Sequence, residues 1–210
     1  MSHLEAHAVS VSIDSEMLLA PVSFAVPPGT ALAVRGANGS GKTTLLRLLS
    51  GHLRPTTGTA LLDGRPVDER SRTARRGISA RIGLPAFARE LTMHEQLRFI
   101  ATTWGRTGST ATDAADATMR ALGIFELRNR FVNELSSGQT QLLAVATALV
   151  RPFDVLILDE PEQRLDAHRR DLVAAAVRRE IDRGASVVIA SHSAELVASI
   201  ADATVTLGQP

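Results

Sequence analysis

A chain of 210 residues, 44% of them hydrophobic, is long enough to bury a full core and reads as one domain, and its 23 lysines and arginines nearly cancel 22 aspartates and glutamates. The resulting net charge of +1 gives no electrostatic case for wrapping a nucleic-acid backbone, so no nucleic-acid partner is expected; the absence of cysteine removes disulfides, thiolate metal sites and cysteine nucleophiles together. The longest apolar runs, at 142–150 and 155–158, fall far short of the roughly 20 residues that span a bilayer, and residues 1–10 lack a basic-then-apolar leader pattern, so a cytoplasmic location is expected.

Val9, Val11 and Ile13 alternate with polar residues, and Val22, Phe24 and Val26 do the same before Pro27, Pro28 and Gly29, which predicts paired edge strands and a turn. An apolar run at 31–34 meets Gly36, and Leu45, Leu46, Leu48 and Leu49 follow at helical spacing, giving strand, loop and helix. The run at 59–62 before Asp63-Gly64 reads as a strand with its hairpin turn, so a small antiparallel β subdomain is expected over about residues 1–35 and 58–66. Residues 65–81 are basic and read as a solvated segment, and 81–84 as a strand.

Beyond this the character changes. Thr92 with Glu95 three positions later forms a capping box ahead of helix formers up to Trp104, and 111–122 is a second helical pattern ended by Gly123. An inserted helical subdomain over about 87–140 is predicted. A helix at 139–150, a doubly buried strand at 155–158, a helix at 171–183 stopping at Gly184 and a buried strand at 186–190 complete the pattern. Such strand and helix alternation predicts an α/β layered core from the remainder of the chain.

Gly36-Ala37-Asn38-Gly39-Ser40-Gly41-Lys42-Thr43, with Thr44 next, satisfies the phosphate-loop pattern in full and in its strand-to-helix context. The glycines let the backbone wrap phosphate oxygens, the helix N-terminus presents open N–H groups, Lys42 reaches the terminal phosphates and Thr43 would ligate magnesium. The strand at 155–158 delivers Asp159 and Glu160 to its carboxyl end, where open α/β sheets bind ligands. Asp159 would hold the magnesium directly or through water, and Glu160 would polarise the attacking water. The expected substrate is Mg-ATP.

Leu135-Ser136-Ser137-Gly138-Gln139, placed between these two motifs, matches the signature Leu-Ser-Gly-Gly-Gln with Ser137 in place of one glycine. In this order the motifs resemble the nucleotide-binding domain of ATP-binding cassette (ABC) proteins over essentially the whole chain. That resemblance implies a P-loop NTPase core of RecA-like form and a head-to-tail dimer, a homodimer or a paired nucleotide-binding subunit. In it Ser136, Ser137, Gly138 and Gln139 of one subunit bind the γ-phosphate held by the other. It also implies that Leu165-Asp166 is the D-loop crossing the dimer interface and that His192, after Ser191, is the switch residue that senses the γ-phosphate. The other five histidines, His3, His7, His52, His94 and His168, are read as surface or satisfied polar residues.

The chain departs from the family at four places. The aromatic residue that usually stacks on adenine is replaced by Ile13, in a chain without tyrosine, which predicts reduced discrimination between ATP and GTP. The glutamine expected after the strand at 81–84 would fall near Ala86 or Phe87, while Gln96 reads as a solvated helix residue; slow basal hydrolysis follows. Thr140, Gln141 and Thr147 stand where basic residues are common, and Glu162 where a small hydroxyl residue is common. The resemblance implies an ATPase subunit at the cytoplasmic face of the membrane, powering a separate membrane-embedded permease that docks around Phe87 and the helical subdomain. The short form, with no regulatory extension after Pro210, resembles small bacterial exporter subunits. Two alternatives stay open: a soluble ABC-type clamp on a non-membrane partner, and a hydrolysis-impaired ATP-gated module.

Overall fold

The computed structural model describes residues 3–208; Met1, Ser2, Gln209 and Pro210, on which part of the leader and C-terminal readings fall, lie outside the described residues. Two sheets form. The first is antiparallel, ordered β2-β1-β4-β5 from β1 (Leu4–Ile13), β2 (Glu16–Val26), β4 (Thr57–Leu62) and β5 (Arg65–Pro66). Alternation along β1 and β2 predicted two edge strands, but only β2 is an edge; β1 is flanked on both sides, by β2 and by β4. Asp63 and Gly64 both have positive φ, 52° and 72°, the left-handed pair that a two-residue hairpin requires.

The second sheet is ordered β6-β7-β8-β3-β9 with every pairing parallel, from β3 (Ala31–Arg35), β6 (Ile78–Arg81), β7 (Val155–Asp159), β8 (Ser186–Ala190) and β9 (Ala203–Thr206). β3 therefore belongs to the core sheet, so the antiparallel unit gives out before residue 31. The strands β3, β7 and β8 are mostly apolar runs because both of their faces are buried. Leu156, Leu158, Val187, Ile189, Ala31 and Ala33 pack on one side, among the helices α3 (Met93–Thr103), α4 (Ser109–Ala121), α5 (Ser137–Leu149) and α6 (Ala167–Asp182). Val155, Ile157, Val188, Ala190, Leu32 and Val34 pack on the other, with α1 (Lys42–Leu49) and the buried face of the antiparallel sheet. The period of two in a strand thus splits one apolar run between two cores. The chain is an α/β protein, a parallel core sheet between helices and an antiparallel sheet.

Several local expectations need correction. Residues 65–81 are not a solvated segment: they hold β5, the short helix α2 (Arg72–Gly77) and β6, whose Ile78, Ser79 and Arg81 are buried. β6 ends at Arg81, where a strand was expected to run on to Leu84. α6 starts at Ala167 because Asp166 caps it, accepting from the Arg169 N–H at 2.9 Å. The helix α7 (Ala194–Ile200) and β9 had no counterpart in the pattern reading. Gln96 is buried, its Oε1 accepting from the Ala88 N–H at 3.2 Å and its Nε2 donating to the Leu91 carbonyl at 3.3 Å, so it pins the loop before α3. Trp104 ends α3 with the Arg151 guanidinium 3.3 Å from its ring centroid, and burial holds the Arg151 pKa down to about 10. Among the described residues, no helix is long and apolar enough to cross a membrane.

Candidate nucleotide site

The strand order sets the site. β7, β8 and β3 are adjacent and parallel, so the turns at their carboxyl ends lie side by side: 36–41 after β3, 160–162 after β7 and 191–193 after β8.

The phosphate loop is shaped by close backbone approaches. A Cβ at Gly41, which sits at φ 89°, would lie 2.5 Å from the Leu18 carbonyl oxygen, and one at Gly36 would lie 2.3 Å from Ser40 Oγ. Gly41 caps α1 without a side-chain acceptor, and the first turn carries no acidic residue, so its N–H groups are left for an anion. Lys42 is buried and its Nζ donates to the carbonyls of Gly36 at 2.9 Å and Ala37 at 3.0 Å, which leaves one of its three N–H bonds uncommitted. Ser40 Oγ is buried and has no hydrogen-bond partner. Ala37, Asn38 and Gly39 are exposed on the loop, Thr43 is exposed and Thr44 half-buried. The cradle, the orphaned hydroxyl and the spare ammonium donor fit a polyphosphate.

Thr43 Oγ1 donates to Asp159 Oδ2 at 2.9 Å, which sets two hard oxygen donors together beside the loop. That set suits magnesium arriving with phosphates, which takes one or two protein ligands rather than a full cage. Glu160 follows at φ 45°, a left-handed conformation costly for a non-glycine residue and found at functional sites. Its N–H donates to the Ala190 carbonyl at 2.8 Å, which locks the turn to β8. Glu160 Oε1 then lies 3.2 Å from His192 Nε2, and Gln163 Nε2 donates to Glu160 Oε2 at 3.1 Å.

The structure thus joins Thr43 to Asp159 and Glu160 to His192. It does not bring the signature to the loop within this chain. Ser136 caps α5 in a capping box with Gln139, accepting from the Gln139 N–H at 3.3 Å and donating its own N–H to Gln139 Oε1 at 2.9 Å. Ser136 and Ser137 are exposed; Gly138 is buried, and a Cβ there would sit 3.0 Å from the Arg164 carbonyl oxygen, beside Leu165. Asp166 is exposed as the cap of α6. Ile13 is 52% exposed at the tip of the β1–β2 hairpin, with Met17 44% exposed on the facing strand. A cleft of about 370 Å³ lies away from these groups, lined by α4 and α6 side chains such as Asp113 and Glu180.

Gln141 and Arg81, both buried, and the half-buried Glu162 support the site without having been singled out for it. Gln141 donates from Nε2 to the carbonyls of Glu160 at 3.0 Å and Pro161 at 3.1 Å, tying α5 to the acidic turn. Arg81 donates from Nη2 to the Asp159 carbonyl at 2.7 Å and from Nη1 to the Gly83 carbonyl at 3.3 Å. Burial holds the Arg81 pKa below that of an ordinary arginine, against the opposing pull of Asp159, Glu162 and Glu160. Glu162 binds the turn after β8. β6 stops at Arg81, and Ala86 and Phe87, near which a glutamine was sought, carry no side chain that could ligate a cation.

A match to the ABC transporter family covers residues 19–163. The chain is 31% identical to a probable anion import ATP-binding protein of Haloferax volcanii, over 98% of this chain and 77% of that protein. It is 33% identical to the cytochrome c biogenesis ATP-binding export protein CcmA of Xanthomonas campestris, over 91% and 87% of the two chains, and 34% identical to the hemin import ATP-binding protein HmuV of Rhodopseudomonas palustris, over 97% and 78%. A solved structure of the ATP-binding subunit of an ABC transporter superposes with a TM-score of 0.87 at 25% identity, covering 98% of this chain and 86% of that one. Since the matched stretch runs from the strand facing the phosphate loop through the acidic turn, and the relatives align along nearly the whole chain, this protein belongs to the ABC transporter family as an ATP-binding subunit.

Proposed function

We propose that the chain is a Mg-dependent ATPase subunit that powers a membrane transporter from the cytoplasmic face, through an ATP-closed head-to-tail dimer. The observation that carries this is the pairing of Thr43 with Asp159 and of Glu160 with His192 along one edge of the parallel sheet, beside an uncapped helix N-terminus. Lys42 and the open N–H groups of α1 hold the phosphates, Glu160 orients and polarises the attacking water, and His192 donates to the γ-phosphate. Thr43 and Asp159 would hold the magnesium that arrives with the nucleotide, which would supply charge neutralisation. Ser136 accepts only its own cap bond through Oγ, so its O–H is free to donate to a γ-phosphate on a second subunit.

The permease docks on the face around Phe87 and the helical subdomain. Support comes from apolar side chains left in solvent there: Phe99 at 63% exposure, Leu84 at 49% and Phe131 at 41%. An exporter-type subunit is the finer reading, supported by 33% identity to the CcmA export protein over 91% of this chain and 87% of that one. A slow basal rate is supported by Ala86 and Phe87 standing where a glutamine was sought, and the same residues favour a hydrolysis-impaired gate as the second reading.

Turnover of Mg-ATP by the purified chain, alone and with the membrane protein that co-purifies, tests the proposal. Hydrolysis above that of Lys42→Ala, stimulated by the membrane protein, is expected; a rate equal to that of Lys42→Ala in both settings contradicts it.

A further inference from the structure

Glu162 stands three residues past Asp159, where the family commonly has a small hydroxyl, and its carboxylate meets the turn after β8. Its Oε1 accepts from Ser191 Oγ at 2.5 Å, from the His192 N–H at 3.1 Å and from the Ser193 N–H at 3.3 Å. Two consecutive amides and a hydroxyl converging on one oxygen form an anion-binding nest, and the chain fills it with its own side chain. The nest is internally braced: Ser193 N–H also donates to Ser191 Oγ at 3.0 Å, and Ser193 Oγ caps α7 by accepting from the Leu196 N–H at 3.2 Å. Glu162 Oε2 is buried without a partner, in the field of the buried Arg81. A charged acceptor makes stronger bonds than a hydroxyl and takes several donors at once.

We infer that Glu162 is a positioning residue for the switch histidine: its carboxylate ties the turn at 191–193 to the turn at 160–162, so that the ring of His192 is held facing Glu160. The strand pairing of β7 with β8 ends at Asp159 and Ala190, and beyond it the turns are joined by the Glu160 N–H on the Ala190 carbonyl and by the Glu162 carboxylate. The tie makes the approach of His192 to Glu160 a property of the resting chain. This rests on the reading of His192 as a phosphate-sensing residue, and the experiment separates the two.

Mg-ATP hydrolysis is measured for the full chain and for Glu162→Ala, Glu162→Gln, His192→Ala and the Glu162→Ala/His192→Ala pair, with nucleotide affinity in parallel. Glu162→Ala is expected to lower kcat by about tenfold or more while nucleotide affinity changes by less than about threefold, because a misplaced group costs chemistry and not ground-state binding. Glu162→Gln, which keeps an oxygen acceptor, recovers part of the loss. The double variant is no slower than His192→Ala alone, since a residue acting through another adds nothing once that other is gone. Hydrogen exchange in the peptide covering 191–193 needs no turnover, and it accelerates in Glu162→Ala more than in Glu162→Gln. Wild-type kcat in Glu162→Ala, losses that multiply in the double variant, or unchanged exchange at 191–193 overturns the inference. If His192→Ala turns over like wild type while exchange at 191–193 still accelerates in Glu162→Ala, the tie stands and the reading of His192 falls.

Discussion

Nε2 of His192 lies 3.2 Å from Oε1 of Glu160, although the two are carried by different strand ends. Under the proposed function, this contact pairs the donor to the γ-phosphate with the carboxylate that polarises the attacking water. Glu160→Gln is expected to lower kcat by about 10²- to 10⁴-fold, the range for losing a general base. His192→Ala is expected to lower it by about 10²-fold, the cost of removing one donor to developing charge. Steady-state kinetics check both, and a loss confined to KM would contradict the assigned roles.

Ile13 presents an aliphatic surface at the hairpin tip, where it pairs with Glu16 and Met17 follows on the facing strand. Ile13→Tyr would give a base a ring to stack on, worth at least about 1 kcal/mol, or roughly fivefold in nucleotide affinity. Titration with ATP and GTP should find the wild-type chain nearly indifferent between them. A strong wild-type preference for ATP would mean that something other than Ile13 reads the base.

Arg81 is buried with its guanidinium bound to two backbone carbonyls next to three carboxylates. Arg81→Leu removes those bonds and leaves the carboxylates unopposed, and about 2–3 kcal/mol of stability should go with it. Urea denaturation reads this directly, and a change below about 0.5 kcal/mol would place Arg81 outside the structural support of the site.

These buried polar residues also mark where the sequence stopped being readable. The phosphate loop and the acidic strand end are contiguous motifs flanked by apolar runs, so their chemistry is written locally. Arg81 looked like one more cation in a basic stretch because its acceptor on Asp159 is 78 residues away. Glu162 meets Ser191 across 29 residues, and only the parallel pairing of β7 with β8 brings them together. Gln96 reads as polar helix surface until the loop at 88–91 folds over it. β9 was missed because its strand of four residues is mostly exposed and alternates weakly.

Glu180 faces the cleft between α4 and α6, where burial raises its pKa above the ordinary 4.5 in spite of Arg183 at 2.8 Å. A carboxyl whose folded pKa is raised is protonated more readily in the folded chain, so its contribution is most favourable below pH 4.5 and is lost as pH rises through the folded value. Glu180→Gln should therefore gain stability relative to wild type on going from pH 4 to pH 7. Thermal melts at the two values check the sign; a relative loss at pH 7 would show that the Arg183 pair dominates.

The central claim is that ATP joins two chains, with Ser136 of each completing the nucleotide site of the other. Light scattering after size separation of Glu160→Gln with Mg-ATP tests it most directly, since the bound nucleotide is then not consumed. A dimer that appears with ATP and is lost in Glu160→Gln/Ser136→Arg is the predicted result, and a monomer at saturating ATP would contradict the account.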